Sequence, residues 1–136
     1  MGHDFLFETN RFNLSQVRPH FINDCCFGED VAEWLSANLA EAGFTTIAPA
    51  QEDWGWYTEA SRDGRSYFIA IGGNAAEGAA DPNEGEWRIG LDRHRTLMDK
   101  LRGRNRMTRD DPIVGVVRAI LEQQPDFRNV TEEPAA

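Results

Sequence analysis

The segment 29–42 repeats its apolar residues at the three- and four-residue spacing of an amphipathic helix. These residues are Val31, Trp34, Leu35, Leu39 and Ala42. Glu29 and Asp30 favour the positive end of a helix dipole, and Gly43 supplies a stop after the last turn. The pattern therefore predicts a helix over 29–42.

A second helix is predicted over 112–124, with Asp111 as its N-cap and Pro112 in its first turn. Its core-facing positions are Ile113, Val116, Val117, Ile120 and Leu121. A shorter helix is predicted within 95–104, where one side carries Leu97, Met98 and Leu101.

Other segments alternate apolar and polar residues, as strands with one buried face do. Phe5 and Phe7 mark a first strand. Asp63-Gly64 lies between two strand-like runs and predicts a β-hairpin of 54–61 with 66–72. Trp54, Trp56 and Thr58 are predicted to share one face of the first arm. A further strand is expected near 86–92.

The remaining stretches have the composition of loops and ends. Residues 72–85 are rich in glycine and polar residues and predict a flexible loop. Residues 131–136 are predicted to fray. Strands joined by hairpins, followed by separate helices, indicate an α+β fold. We expect one domain over 1–136, with about five mainly antiparallel strands and two to three helices packed on one face.

Charge is distributed unevenly along the chain. The total is −9, yet residues 93–109 carry seven basic residues against Asp99 alone. An acidic chain lacks the phosphate contacts on which general nucleic-acid affinity depends, so we do not expect nucleic acid as a partner.

The chain shows neither a signal peptide nor an apolar stretch of membrane-spanning length, and we expect a cytoplasmic protein without a membrane partner.

The residues give no sign of a metal or a cofactor. His3, His20 and His94 lack ligand spacing with one another and with the two cysteines. Cys25 and Cys26 are adjacent, so a disulfide between them is expected to strain the backbone. We interpret them as two small apolar residues at a helix entrance, with a redox pair or a metal ligand as the alternative.

The stretch "QEDWGWY", residues 51–57, joins two carboxylates to three large aromatic side chains. The two tryptophans either pack in the core or form a binding lip. Adjacent strand residues point to opposite faces, so Glu52 and Asp53 do not form a facing catalytic pair. The candidate binding residues of this region are Glu52, Asp53, Trp54, Trp56, Tyr57 and Glu59.

The E-D-W-G-W segment, residues 52–56, follows the helix "EDVAEWLSANLAEAGF". In this respect residues 20–92 resemble a set of small bacterial proteins that are themselves uncharacterised. The resemblance supports the fold and implies no activity, cofactor or catalytic residue.

A second candidate surface is the basic patch formed by Arg102, Arg104, Arg106 and Arg109. Arginine binds carboxylates and phosphates, but these residues are also expected to pair with the chain's own acids.

The function we favour is a non-catalytic binding domain of the immunity or inhibitor kind, whose acids dock a basic protein. Two alternatives stay open. One is a small enzyme or ligand-binding protein using Glu52, Asp53 and Glu59, and the other is a regulator that contacts nucleic acid through residues 93–109.

Overall fold

The computed structural model describes residues 2–135 as an α+β domain with one antiparallel sheet. Seven strands and three helices follow one another along residues 2–135. They are β1 His3–Thr9, α1 Glu29–Glu41, β2 Thr45–Thr46, β3 Ala50–Glu52, β4 Gly55–Arg62, β5 Arg65–Ala75, β6 Gly85–Arg93, α2 Leu97–Arg102, α3 Pro112–Glu122 and β7 Arg128–Glu133. The strand order is β2-β4-β5-β6-β1-β7, and β3 pairs with β4 beside β2.

The predicted fold class, the two main helices and the hairpin at Asp63-Gly64 are confirmed. The prediction of about five strands was too low, because β3 pairs with β4 and β7 pairs with β1 as further strands of the sheet. No helix among residues 2–135 is long and apolar enough to cross a membrane.

The core lies on one side of the sheet. Alternate residues of the long strands point to this side and form one cluster with α1 and α3, which includes Phe5, Ile69, Leu91, Leu35 and Val117. Helix α2 is the exception to the predicted packing, since none of its six residues is buried.

Strand β5 extends to Ala75, through residues that the sequence suggested would be a flexible loop. Gly72 and Gly73 belong to the strand and pair with Arg88 and Trp87 of β6. A Cβ on Gly73 would lie 2.5 Å from the Trp87 ring, so the glycine makes room for the largest buried side chain of the core. Glycine here serves close packing, and the composition of the segment was misleading.

The C-terminal segment also departs from its prediction. Strand β7 pairs with β1, and Ala135 is buried with its backbone N–H donating to His3 Nδ1. The predicted fraying of 131–136 is therefore wrong for the described residues up to Ala135. The sequence did not reveal the anchor, which is the side chain of Glu132.

Glu132 connects three elements. Its carboxylate accepts two hydrogen bonds from Arg118 of α3, both 2.7 Å long, and lies 2.7 Å from His3 Nε2 of β1. The hydrogen bonds from Arg118, with a further contribution from His3, lower the pKa of Glu132 to about 2. The ionised form therefore stabilises the edge strand.

We expect Glu132→Gln to lower the free energy of unfolding at pH 7 by on the order of 2 kcal/mol. A carboxylate whose pKa is lowered in the folded protein stabilises the fold at every pH above its pKa in the unfolded chain, about 4.3 for glutamate. This contribution is lost as the pH falls toward 2. Denaturant unfolding of both proteins at pH 7 and pH 3 should show the difference shrinking in acid. A difference independent of pH would contradict the ionic role, and Glu133→Gln on the same strand is the matched control.

Candidate binding face

The side of the sheet opposite α1 and α3, which we call the open face, carries the exposed aromatic residues of the chain's centre. Tyr57, Phe68, Ala70 and Gly72 point to this side and are only half-buried. The ring of Tyr57 stacks on that of Phe68 with centroids 5.0 Å apart. The ring of Trp54 meets Phe68 edge-on at 6.3 Å. The three rings form a continuous apolar surface.

The two tryptophans of "QEDWGWY" lie on opposite sides of the sheet. Trp56 is 3% exposed and faces the core, whereas Trp54 is 51% exposed on the open face. The prediction that Trp54, Trp56 and Thr58 share one face is therefore wrong for Trp54. The reason is a two-residue turn: Asp53 and Trp54 connect β3 to β4, so the strand alternation begins only at Gly55.

Gly55 allows this turn to sit close to the neighbouring strand. Its φ is 156°, and a Cβ at this position would lie 2.4 Å from the carbonyl oxygen of Ile71. Any other residue would push β4 away from β5. Glycine thus places Trp54 above the open face while Trp56 enters the core.

A groove of about 290 Å³ runs beside Trp54. Its floor is made of small residues, Ala70, Gly72 and Gly90, and its apolar lining is interrupted by Asp4 and Arg88. Because Ala70, Gly72 and Gly90 lack bulky side chains, they leave a depression in the sheet surface beside the Trp54 ring. Such a depression fits an aliphatic or arginine side chain of a partner.

The open face is acidic around this groove. Residues paired across the strands share a face, and among the strands of residues 2–135 six acids point to this side: Asp4, Glu8, Glu59, Glu86, Asp92 and Glu133. Two arginines accompany them. Arg88 bonds to Asp4 and Glu133, and Arg128 pairs with Glu84. The balance of the face is negative.

The other predicted site residues are placed as follows. Glu59 pairs with His94, whose Nε2 lies 2.7 Å away, and the His94 ring packs edge-on against Phe68. Glu52 and Asp53 are exposed at the β3–β4 turn and neither lines the groove. Asp53 accepts a hydrogen bond of 3.1 Å from Asn23, which ties the turn to the loop before α1.

That loop carries the cysteine pair, whose predicted arrangement was wrong. Cys25 is exposed, Cys26 is half-buried, and the structure joins them in a disulfide. Their sulfur atoms lie 3.6 and 3.4 Å from the carbonyl oxygen of Asp53. The loop turns outward here because Gln51 and the Trp56 indole N–H bind its backbone carbonyls, leaving no core position for the cysteines.

The basic patch is on the surface, but its expected pairing does not occur. Arg102, Arg104, Arg106 and Arg109 are all exposed, and none forms an ion pair with an acid of residues 2–135. The polar network nearby instead surrounds Asp111. Within the described residues, no group of three or more histidine, cysteine or acidic side chains is arranged to hold a metal ion.

Comparisons of the chain with protein-family models, curated proteins and solved structures found no match. The resemblance of residues 52–56 to small bacterial proteins therefore stays a prediction.

Proposed function

We propose that this protein is a non-catalytic interaction module that binds a basic protein partner on its open face. The observation that carries the proposal is the position of Trp54, half-exposed beside an apolar groove on an acidic sheet surface. Tryptophan is enriched among the residues that dominate binding energy, and such residues pair with pockets and apolar side chains of the partner.

The charges suggest how the partner is selected. Acids at the rim of an apolar contact mainly accelerate the encounter with a basic surface and disfavour acidic ones. Glu59 and Asp92 lie directly opposite Phe68 of the aromatic cluster on the two neighbouring strands. A partner that combines arginine or lysine with aliphatic residues satisfies both the groove and its rim. This is the chemistry expected of an immunity- or inhibitor-like protein that covers a basic surface.

Enzymatic use of the same region has less support. Catalytic acids and bases act within hydrogen-bond reach of the reacting group in a shaped pocket. Glu52 and Asp53 stand outside the groove, and the two charged residues that line it, Asp4 and Arg88, bind each other. Binding needs only the exposed rings, the small floor and the acidic rim.

A short synthetic peptide in which lysine or arginine alternates with leucine serves as a probe of the open face. We expect it to bind the protein, and Trp54→Ala to weaken binding by about tenfold or more, because the substitution removes the aromatic wall of the groove. Isothermal titration calorimetry measures both. Replacing Glu59 and Glu86 with glutamine should slow association, most clearly at low salt.

Two controls make this test specific. Val17, an exposed aliphatic residue outside the open face, is the matched control, and Val17→Ala should leave the affinity unchanged. A peptide with glutamate in place of every lysine and arginine should not bind. Equal affinity of the wild-type protein and Trp54→Ala for the basic peptide would refute the proposal.

A further inference from the structure

Helix α2 is well formed, but none of its six residues is buried against the rest of residues 2–135. Thr96 and Asp99 make a reciprocal capping box at its start, and Gly103 closes its end in the left-handed conformation. Three large aliphatic side chains nevertheless remain outside: Leu97 is 74% exposed, Met98 53% and Leu101 73%. Single exposed aliphatic residues are normal on a protein surface, whereas three on one short helix mark a contact surface.

The surroundings of α2 are basic. Lys100, Arg102, Arg104 and Arg106 are exposed on the helix and just after it. The acid of this segment is Asp99, and its carboxylate accepts a hydrogen bond from the backbone N–H of Thr96 at the N-cap of α2. A surface that is both aliphatic and basic needs a partner that is both apolar and acidic.

The open face has both of these properties. Its groove is lined mainly by apolar atoms of Trp54, Ala70, Gly72 and Gly90, and carboxylates surround it. We infer that α2 of one molecule docks on the open face of a second copy of this chain. The inference rests on the proposed function of the open face and names its partner.

The contact is head-to-tail, because α2 and the open face are different surfaces of the same molecule. Each copy carries one α2 and one open face, so a dimer still has a free open face at one end and a free α2 at the other. Assembly therefore continues beyond the dimer unless a ring closes. The aliphatic side chains Leu97 and Leu101 would enter the groove beside Trp54. The basic side chains would meet the acids on its rim.

The expected association is weak and sensitive to salt. A six-residue helix with its flanking side chains supplies less than the roughly 800 Å² per partner of a standard stable interface. The charged groups stay near solvent, and their attraction falls as the screening length shortens from about 10 Å at 0.1 M salt to about 3 Å at 1 M.

Sedimentation velocity of the full chain, over concentrations from ~10 µM to ~1 mM, tests the inference. The wild-type protein should grow in mass with concentration at low salt and lose mass at high salt. Leu97→Gln with Leu101→Gln should remain monomeric, and so should Trp54→Ala. Val17→Gln changes an exposed aliphatic residue outside both surfaces and should behave as wild type. Circular dichroism confirms that each variant is folded.

A mixture of the two defective proteins gives the sharpest result. The α2 variant keeps its open face and the Trp54 variant keeps its α2, so the mixture should form a one-to-one dimer and nothing larger. A wild-type chain that stays monomeric at ~1 mM overturns the inference, as does association that survives either variant. A mixture that gives no dimer also overturns it.

These failures are separable from failure of the proposed function. If the basic leucine peptide binds the open face while the chain stays monomeric, the face binds another partner and only the self-association is wrong. If neither the peptide nor a second copy binds, both are wrong. Vesicles containing phosphatidylglycerol test a third outcome. If the chain stays monomeric and binds these vesicles, and the α2 variant does not, then α2 contacts a lipid surface and the self-association is wrong.

Discussion

Replacing Trp56 with alanine is expected to lower the free energy of unfolding by roughly 3–5 kcal/mol. The ring is 3% exposed, meets Phe21 edge-on at 5.3 Å, and donates its indole N–H to the carbonyl of Cys26 over 3.0 Å. Its removal leaves a cavity, and the carbonyl of Cys26 keeps only its hydrogen bond from Gln51. Denaturant unfolding followed by far-ultraviolet circular dichroism measures the loss.

Trp54 provides the matched control for this prediction, because it is the same residue type two positions away. Its ring is half-exposed, and Trp54→Ala should lower stability by less than about 1 kcal/mol. Equal destabilisation by the two substitutions would contradict the assignment of one tryptophan to the core and the other to the open face.

Replacing Asp111 with asparagine should also be strongly destabilising, by about 3 kcal/mol. The carboxylate is fully buried and accepts hydrogen bonds from Arg93, from the Tyr67 hydroxyl and from the backbone and hydroxyl of Thr108. The substitution leaves the mostly buried guanidinium of Arg93 without its counter-charge. The loss is expected near the lower limit for a broken buried pair because part of Arg93 reaches solvent.

The effect of Asp111→Asn should depend on pH. Burial by itself raises the pKa of Asp111, but the hydrogen bonds from Arg93, Thr108 and Tyr67 outweigh it and lower the pKa below its usual value. The stabilisation is therefore present above about pH 4 and is lost as the pH falls through the folded pKa. Unfolding at pH 7 and pH 3 measures this, with Tyr67→Phe as the control that removes one neutral donor and should cost about 1 kcal/mol. A full difference persisting at pH 3 would contradict an ionic role.

The elements whose apolar residues repeat at a regular spacing could be predicted from the sequence. Helix α1 ends one residue before its predicted limit and α3 two residues before, because their apolar residues repeat over three turns beside clear end signals. The hairpin at Asp63-Gly64 followed from an Asp-Gly turn between two strand-like runs. These features depend on local sequence, and local sequence is what a pattern reports.

Features set by tertiary contacts could not be predicted. Gly72 and Gly73 have the composition of a loop, yet they lie in a strand because Trp87 needs the space above Gly73. The C-terminal strand depends on a carboxylate of β7 meeting Arg118 of α3 and His3 of β1. Nothing in the sequence near Glu132 indicates those partners.

The sequence pointed to part of the surface that we propose as the binding site. The segment 51–57 does carry the central exposed ring, but a shift of two residues at the turn divides its tryptophans between two faces. Phe68, Ala70, Gly72 and Gly90 complete the surface and were missed, since each is unremarkable alone. The available signal was the series of small residues at alternate positions of β5 and β6, between the apolar core positions.

The most direct test of the proposed open face is to map where the basic leucine peptide binds. Titration of the isotopically labelled protein, followed by amide chemical shifts, should move the signals of Trp54, Tyr57, Phe68, Gly72 and Gly90 together. The signals of α1 and α3 should stay in place, because those helices cover the opposite side of the sheet. Shifts confined to the helices, or scattered over all acidic surfaces with no cluster at Trp54, would contradict the assignment of binding to the open face.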